Sequence, residues 1–539
     1  MSSTRLIDPE VPVRDLLAKY PHLSSALAAH GLDTCCGGMH PLKDACAAKG
    51  VDLPEVLADL ESAHAAAEAH SIVPPTTSIR ELLRRFPATR PVLERYGLAD
   101  CGGAEGPDEP LAWFATVHQL PLDQFLQDVR AAAVRDAAAA PPAAAPAPSL
   151  FSPHFIVGSL LLTLTLGATT GMINLLRIAA GGEVPIDHRQ IHGHTQVLGF
   201  AALFLMGIGF HALPRILGIG GLQPGRAVRV SFWLMLSGIL LRNLGQPFGL
   251  QAWGRLLSLF SGILELASGL LFARFVFTVL RKAPPGKYAR RDPMHLFVAG
   301  GTACFLLALF VSAAQGVWLA GNVDTVLPAA LTESFYFVAL YGFLLAWIYG
   351  FGHRIVSLFL GVGAPVRGTA EAAFATQMVG VALALVSWMP RVPDAAALAL
   401  RDGAFALVAM SALVYLGGNG FLWRRSMLPM LRTPGSPTVA IRMAFGWLAA
   451  WAALELSAVV VVRTTEFPAR NLWWADAARH AFTIGFLTLL IVGMSFRILP
   501  VFSGKPLWSP RLAYVTYALL TLGATLRLLQ YPAAVHPVL

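Results

Sequence analysis

Three histidines crowd the segment His188-Arg189-Gln190-Ile191-His192-Gly193-His194, which runs directly into the apolar stretch Thr195–Leu213, and His211 lies near the far end of that stretch. Neutral imidazole is a natural ligand for haem iron and for copper. Ionisable side chains at membrane depth are costly and mark functional sites. His188 and His192 are four residues apart and share one helix face, while His194 points elsewhere. A second group able to do chemistry is Cys35-Cys36, set before Gly37-Gly38. An open turn of that kind leaves thiolates accessible and open to activation, so these thiols suit the handling of iron, nitrosyl groups or redox equivalents. The alternatives are interfacial histidines that hydrogen-bond water or headgroups, and cysteines acting as small buried hydrophobes. Cys46, Cys101 and Cys304 read as packing residues.

The elements that position these groups are mostly membrane helices. The chain has 539 residues, 55% hydrophobic and only 13% charged, too apolar for an ordinary soluble protein. Apolar runs long enough to span a bilayer recur from Phe155 onward. Helices are expected near 155–177, 191–214, 227–245, 252–280, 294–320, 332–361, 370–390, 397–424, 439–463, 477–500 and 511–530, which makes eleven. The formal charge of +9 fits basic cytoplasmic loops rather than a nucleic-acid partner. Arg281, Lys282, Lys287, Arg290 and Arg291 fill one loop, Arg424, Arg425 and Arg432 another, and Gly321–Glu333 has no lysine or arginine. The positive-inside rule then puts the N-terminus in the cytoplasm. Met1–Glu10 lacks the apolar core of a signal peptide, so the five cysteines, four of them in the front part, are expected to be reduced.

The membrane part repeats. His194, Phe337 and His480 are spaced by 143 residues, as are Gly199, Gly342 and Gly485, and Gly207, Gly350 and Gly493. The second, sixth and tenth helices are therefore copies, the unit is four helices, and repeats of this kind surround shared central sites. A twelfth helix is expected to begin near 536–540, where the sequence ends. His188, His192, His194 and His480 share the periplasmic level, and His211, His295 and His353, candidate metal ligands, share the cytoplasmic one. His194 and His480 occupy equivalent repeat positions, so they lie at equal depth and can hold a haem from both sides. Glu265, Glu371, Arg401, Asp402 and Glu455 either relay protons or pair within the bundle. Arg215, Arg354 and Arg497 either snorkel to headgroups or bind haem propionates.

The front end is a tandem repeat of short helices. Val13-Arg14-Asp15-Leu16-Leu17, Tyr20-Pro21, Gly31-Leu32 and Cys35 return 66 positions later as Ile79-Arg80-Glu81-Leu82-Leu83, Phe86-Pro87, Gly97-Leu98 and Cys101. Gly31 and Gly97 fit left-handed caps before the cysteine turn. Leu53-Pro54-Glu55-Val56-Leu57 and Leu120-Pro121-Leu122-Asp123-Gln124-Phe125-Leu126 open the closing helices. The expected domains are 1–72, 73–135, an Ala/Pro linker at 136–153 whose core is Ala137–Ser149, and a membrane domain at 154–539.

The first copy, through Tyr20-Pro21, Gly31-Leu32-Asp33, Cys35-Cys36-Gly37-Gly38, Pro41-Leu42 and Ala45-Cys46, resembles the ScdA N-terminal domain. That domain fronts di-iron proteins that repair iron centres after nitrosative or oxidative damage. The resemblance implies iron handling at Cys35 and Cys36, although the di-iron domain of those proteins is absent. The membrane part, through His192-Gly193-His194, Gly199-Phe200, Pro214-Arg215, His480-Ala481-Phe482-Thr483, Gly485, Gly493-Met494 and Arg497, resembles the NnrS family of haem- and copper-containing membrane proteins associated with nitric oxide resistance. Its repeat also resembles subunit I of the haem-copper oxidases. Phe337 stands where the sixth helix would need a histidine, and no adjacent His-His pair exists, so the likeness stops short of an oxygen-reducing centre.

The expectation is an all-α polytopic bundle of eleven, ideally twelve, helices in a pseudo-threefold four-helix repeat, preceded by two small soluble helical domains. It would sit in the lipid bilayer and bind or turn over nitric oxide at a b-type haem. Copper is a further cofactor, iron would be handled at the N-terminal cysteines, and an electron donor or partner protein is required if the chain is a nitric oxide-related oxidoreductase. A non-enzymatic haem or metal sensor or carrier, and a cofactor-free transporter, are the alternative readings.

Overall fold

The computed structural model describes residues 7–20, 23–32, 40–98, 109–118, 120–137, 153–217, 219, 225–283, 293–360, 362, 366–425, 438–464, 468–503 and 509–535. Contacts divide the chain into two units, one holding the front helices and one holding the membrane helices.

The front unit contains the expected repeat twice over. The first copy is α1 (Val13–Lys19), α2 (Ser24–Ala29), α3 (Leu42–Lys49) and α4 (Leu53–Ile72), and the second is α5 (Ile79–Arg85), α6 (Arg90–Arg95), α7 (Leu111–Val117) and α8 (Leu122–Ala137). The apolar stripe seen in the sequence is the core: Val13, Leu16, Leu42, Cys46, Val56 and Leu60 are buried together. The two chains of backbone contacts match. Val13 N–H donates to His40 O at 3.2 Å and Leu42 N–H to Val11 O at 3.1 Å, while Ile79 N–H donates to Glu109 O at 2.9 Å and Leu111 N–H to Thr77 O at 3.0 Å. Gly31 and Gly97 carry the expected positive φ of 68° and 99°. Burial pushes the Cys46 thiol up and keeps it protonated, as befits a packing residue.

In each copy the residue before that glycine is tied to the closing helix. His30 Nε2 lies 2.7 Å from Asp59 Oδ2, and at the matching place Tyr96 Oη donates to Asp128 Oδ2 at 2.6 Å. The bond to Asp128, with burial added, raises the Tyr96 phenol above its ordinary 10.0. An upward shift means that the bond's contribution is complete below pH 10 and is lost as pH rises through the higher folded value. Asp128 is 39% exposed, so solvent screens the pair and Tyr96→Phe is expected to cost only about 1 kcal/mol. Chemical denaturation of the front unit between pH 8 and 11 checks this. Tyr96→Phe should be the less stable at pH 8, and the difference should shrink once pH passes the raised folded value.

Among its described residues the membrane unit has the expected eleven helices long and apolar enough to span a bilayer. They are His154–Ala179, Ile186–Pro214, Arg226–Phe248, Ala252–Lys282, Pro293–Gly321, Ala329–Val356, Arg367–Ser387, Asp394–Asn419, Thr438–Val459, Trp474–Phe496 and Arg511–Leu529, called here the first to eleventh spans. The repeat dictates their layering. The second, sixth and tenth spans are 83%, 100% and 61% buried, whereas the others lie between 17% and 50%. The three copies are therefore the inner layer. Helices wetted by lipid can be apolar all round, but an inner helix must interdigitate, and the recurring glycines allow it. A Cβ on Gly207 would meet Phe155 of the first span at 2.6 Å, one on Gly350 would meet Phe297 of the fifth at 3.1 Å, and one on Gly493 would meet Ala440 of the ninth at 2.9 Å. Gly342 likewise receives Cys304, which is buried and serves packing.

Each inner span also breaks into a π-helical stretch at the same repeat position: Thr195–Ala202, Val338–Leu344 and Ala481–Thr488. Such stretches recur at functional sites because they shift the helix face by one residue.

Candidate functional site

The positions His194, Phe337 and His480 open the three π-helical stretches and share a level, but they do not face one another. A threefold repeat rotates each copy, so equivalent side chains enter successive sectors of the bundle. His194 turns toward the fourth, fifth and sixth spans. Its Nε2 lies 3.2 Å and 3.3 Å from the two Glu265 oxygens, Ser312 Oγ lies 3.5 Å away, and its ring stacks on Phe335 at 5.7 Å. Phe337 turns into the next sector, against Phe405 at 4.9 Å and Trp388 at 5.8 Å. That sector is filled by rings: Tyr341 stacks on Trp451 at 5.1 Å and meets Phe482 at 5.0 Å. His480 enters the third sector, beside Asp476 at 3.4 Å, and Arg527 of the eleventh span pairs with the same carboxylate at 2.9 Å.

The second span supplies a different histidine to that third sector. Two residues turn a helix by about 200°, so His192 lies on the face opposite His194. Its Nδ1 is 2.9 Å from the Gly167 carbonyl of the first span. His192 is within electrostatic reach of His480, Asp476 and Arg527. The structure thus brings His192 and His480 to one sector and leaves His194 in another. His188 is half-buried at the start of the second span, with its N–H donating to the Asp187 side chain at 2.9 Å.

A carbonyl only accepts, so the bond to Gly167 makes His192 the Nδ1–H tautomer. His480 is fixed in the same way, by its Nδ1–H and the Asp476 carbonyl at 2.8 Å. Both rings then keep the Nε2 lone pair, which is how a metal-bound histidine is normally prepared. His194 instead spends Nε2 on Glu265, and its buried Nδ1 has no hydrogen-bond partner. The third sector therefore holds two histidines with Nε2 left open to a ligand, and the second-span member is His192.

The His194 sector holds a polar cluster. Glu265 also accepts from Ser312 at 2.7 Å and Ser261 at 3.1 Å. Arg242, 1% exposed, donates to Gln246 at 3.0 Å and Gln315 at 2.6 Å. Gln246 passes the chain to Gln190 at 2.9 Å, which meets Leu327 and Thr332. Of the other polar residues, Glu455 accepts from Trp451 at 3.1 Å, Glu371 pairs with Arg367 at 2.8 Å, and Arg401 reaches back to the Ala397 carbonyl at 3.4 Å. Arg242 was missed in the sequence, although a lone arginine in an apolar run is itself the signal.

His211 and His295 are buried and His353 lies in a π-helical turn, Gly352–Val356. Among the described residues no three of His, Cys, Asp and Glu gather to hold a metal ion. Cys35, Cys36 and Cys101 lie outside the described residues, as do the side chains of Arg215 and Arg497.

Comparison with known proteins agrees with this architecture. Residues 10–64 match the ScdA_N model, a domain of unknown function (DUF542), and residues 150–539 match the model of the NnrS protein. No curated protein matches the chain. Eleven spans and a family match over most of its length make it a multi-pass membrane protein, and the chain belongs to the NnrS family.

Proposed function

We propose that this chain is a haem-binding membrane protein of nitrosative stress, in which His192 and His480 hold a b-type haem between the second and tenth spans. Membership of the NnrS family, together with the ScdA_N domain, supports a membrane protein related to nitric oxide. The observation that carries the haem reading is the shared preparation of two rings: each commits Nδ1–H to a main-chain carbonyl and keeps Nε2 free. Bound haem would supply redox chemistry and an iron that ligates diatomic gases. The protein's own part is to orient the rings, to balance charge with Arg527 and Asp476, and to leave a route for the gas. The first and eleventh spans flank the site and are the least buried, 22% and 17%, so an apolar gas reaches the site from the lipid.

Haem held by His192 and His480 would offer nitric oxide an iron to bind, which suits binding and sensing as well as turnover. Cys35 and Cys36 are proposed to handle iron or nitrosyl groups on the cytoplasmic side of a bacterial inner membrane. Anaerobic addition of nitric oxide to the dithionite-reduced, detergent-purified protein tests the reading. Conversion of the spectrum to a ferrous nitrosyl form is expected. Steady loss of the gas at an electrode in the presence of reductant would mark an enzyme. An unaltered spectrum with no gas consumed would defeat the proposal.

A further inference from the structure

The first span is among the least buried, yet its main chain bonds a candidate ligand directly. It contains its own π-helical turn, Thr163–Gly167, which ends on the residue whose carbonyl meets His192. One turn further on, a Cβ at Gly171 would lie 2.8 Å from His192 Cε1 and 3.3 Å from Nδ1. The ring therefore lies against a bare glycine, in a space that any side chain would fill. A Cβ at Gly167 would lie 2.8 Å to 3.0 Å from the Gln196 amide, and that amide accepts from Thr163 Oγ1 at 2.6 Å. Thr163, Gly167 and Gly171 fall four apart on one face of the first span. Nothing about crossing a bilayer requires two glycines there, and glycine in a helix interior is unfavourable.

We infer that this face of the first span is a positioning device for His192. The Gly167 carbonyl sets its tautomer, Gly171 sets its ring plane, and the Thr163–Gln196 bond keeps the two spans in register. The inference rests on the haem reading for its purpose, though not for its geometry. Outer-shell groups that orient a ligating histidine and raise its basicity are worth about 10- to 100-fold in metal affinity.

The test compares full-length wild type with Gly171→Ala, reading haem dissociation, the midpoint potential and the low-spin electron paramagnetic resonance signal. Gly171→Ala is expected to bind haem about tenfold or more weakly. Its potential should rise, because a ring pushed off its acceptor donates less to ferric iron, and its resonance signal should move with the ring plane. Wild-type potential and signal in a folded, haem-loaded Gly171→Ala would overturn the inference. If Gly171→Ala does not accumulate, Gly167→Ala is read instead. A raised potential there supports the inference, and an unmoved potential overturns it. A wild type that takes up no haem defeats the haem reading alone. Nitrogen-15 histidine spectra of the apoprotein then decide the positioning. A single Nδ1–H tautomer for His192, lost in Gly171→Ala, supports it, and the same tautomer in both overturns it.

Discussion

Alanine at His192 or at His480 is expected to strip haem from the purified protein, whereas His194→Ala is expected to keep it. Each of the first two variants removes an axial nitrogen whose lone pair is held ready by a main-chain carbonyl, and a site with one histidine left should lose affinity by about 100-fold or more on the scale of outer-shell losses alone. His194 faces another sector and gives its Nε2 to Glu265. Its loss should weaken the fold without touching the spectrum. Pyridine haemochrome assay of the three variants, each normalised to folded protein, reads the difference. Haem lost from His194→Ala and kept in His192→Ala would return the axial role to the repeat-equivalent pair.

Glu265→Ala is expected to be strongly destabilising. The carboxylate is fully buried, and it is the hydrogen-bond partner of His194, Ser312 and Ser261. Its removal leaves the buried groups of His194, Ser312 and Ser261 without their shared partner, at a cost of about 1–3 kcal/mol for each group stranded. Glu265→Gln retains an acceptor and should fall between alanine and wild type. Unfolding of the detergent-solubilised variants in graded denaturant measures this order. An alanine variant as stable as wild type would mean that the cluster is solvated and does not hold the spans together.

Much of the architecture is legible in the sequence because the bilayer enforces it. Apolar length fixes the eleven spans, and the 143-residue period identifies the three inner helices before any coordinate is known. Depth is legible too, since a repeat places 194, 337 and 480 at one level. Facing is not. Equal positions in a rotated repeat point into successive sectors, so His194 and His480 share a level but not a sector. The second-span histidine that enters the sector of His480 lies on another face of that helix, and it is His192. The network of Gln190, Arg242, Gln246 and Gln315 was illegible for a different reason. Its members sit on the second, third and fifth spans and at the end of the third, and they meet only through packing. In the front unit the tandem repeat is legible down to its caps. What the sequence could not reveal is that His30 and Tyr96 play the same part with different chemistry, each tying its loop to the closing helix.

The most direct measurement is the optical and electron paramagnetic resonance spectrum of wild-type protein, expressed with haem supplied and purified in detergent. A b-type haem in a low-spin, bis-histidine ferric state is expected. A well-folded protein that remains colourless under those conditions, or one whose haem is high-spin with a single axial histidine, would contradict it.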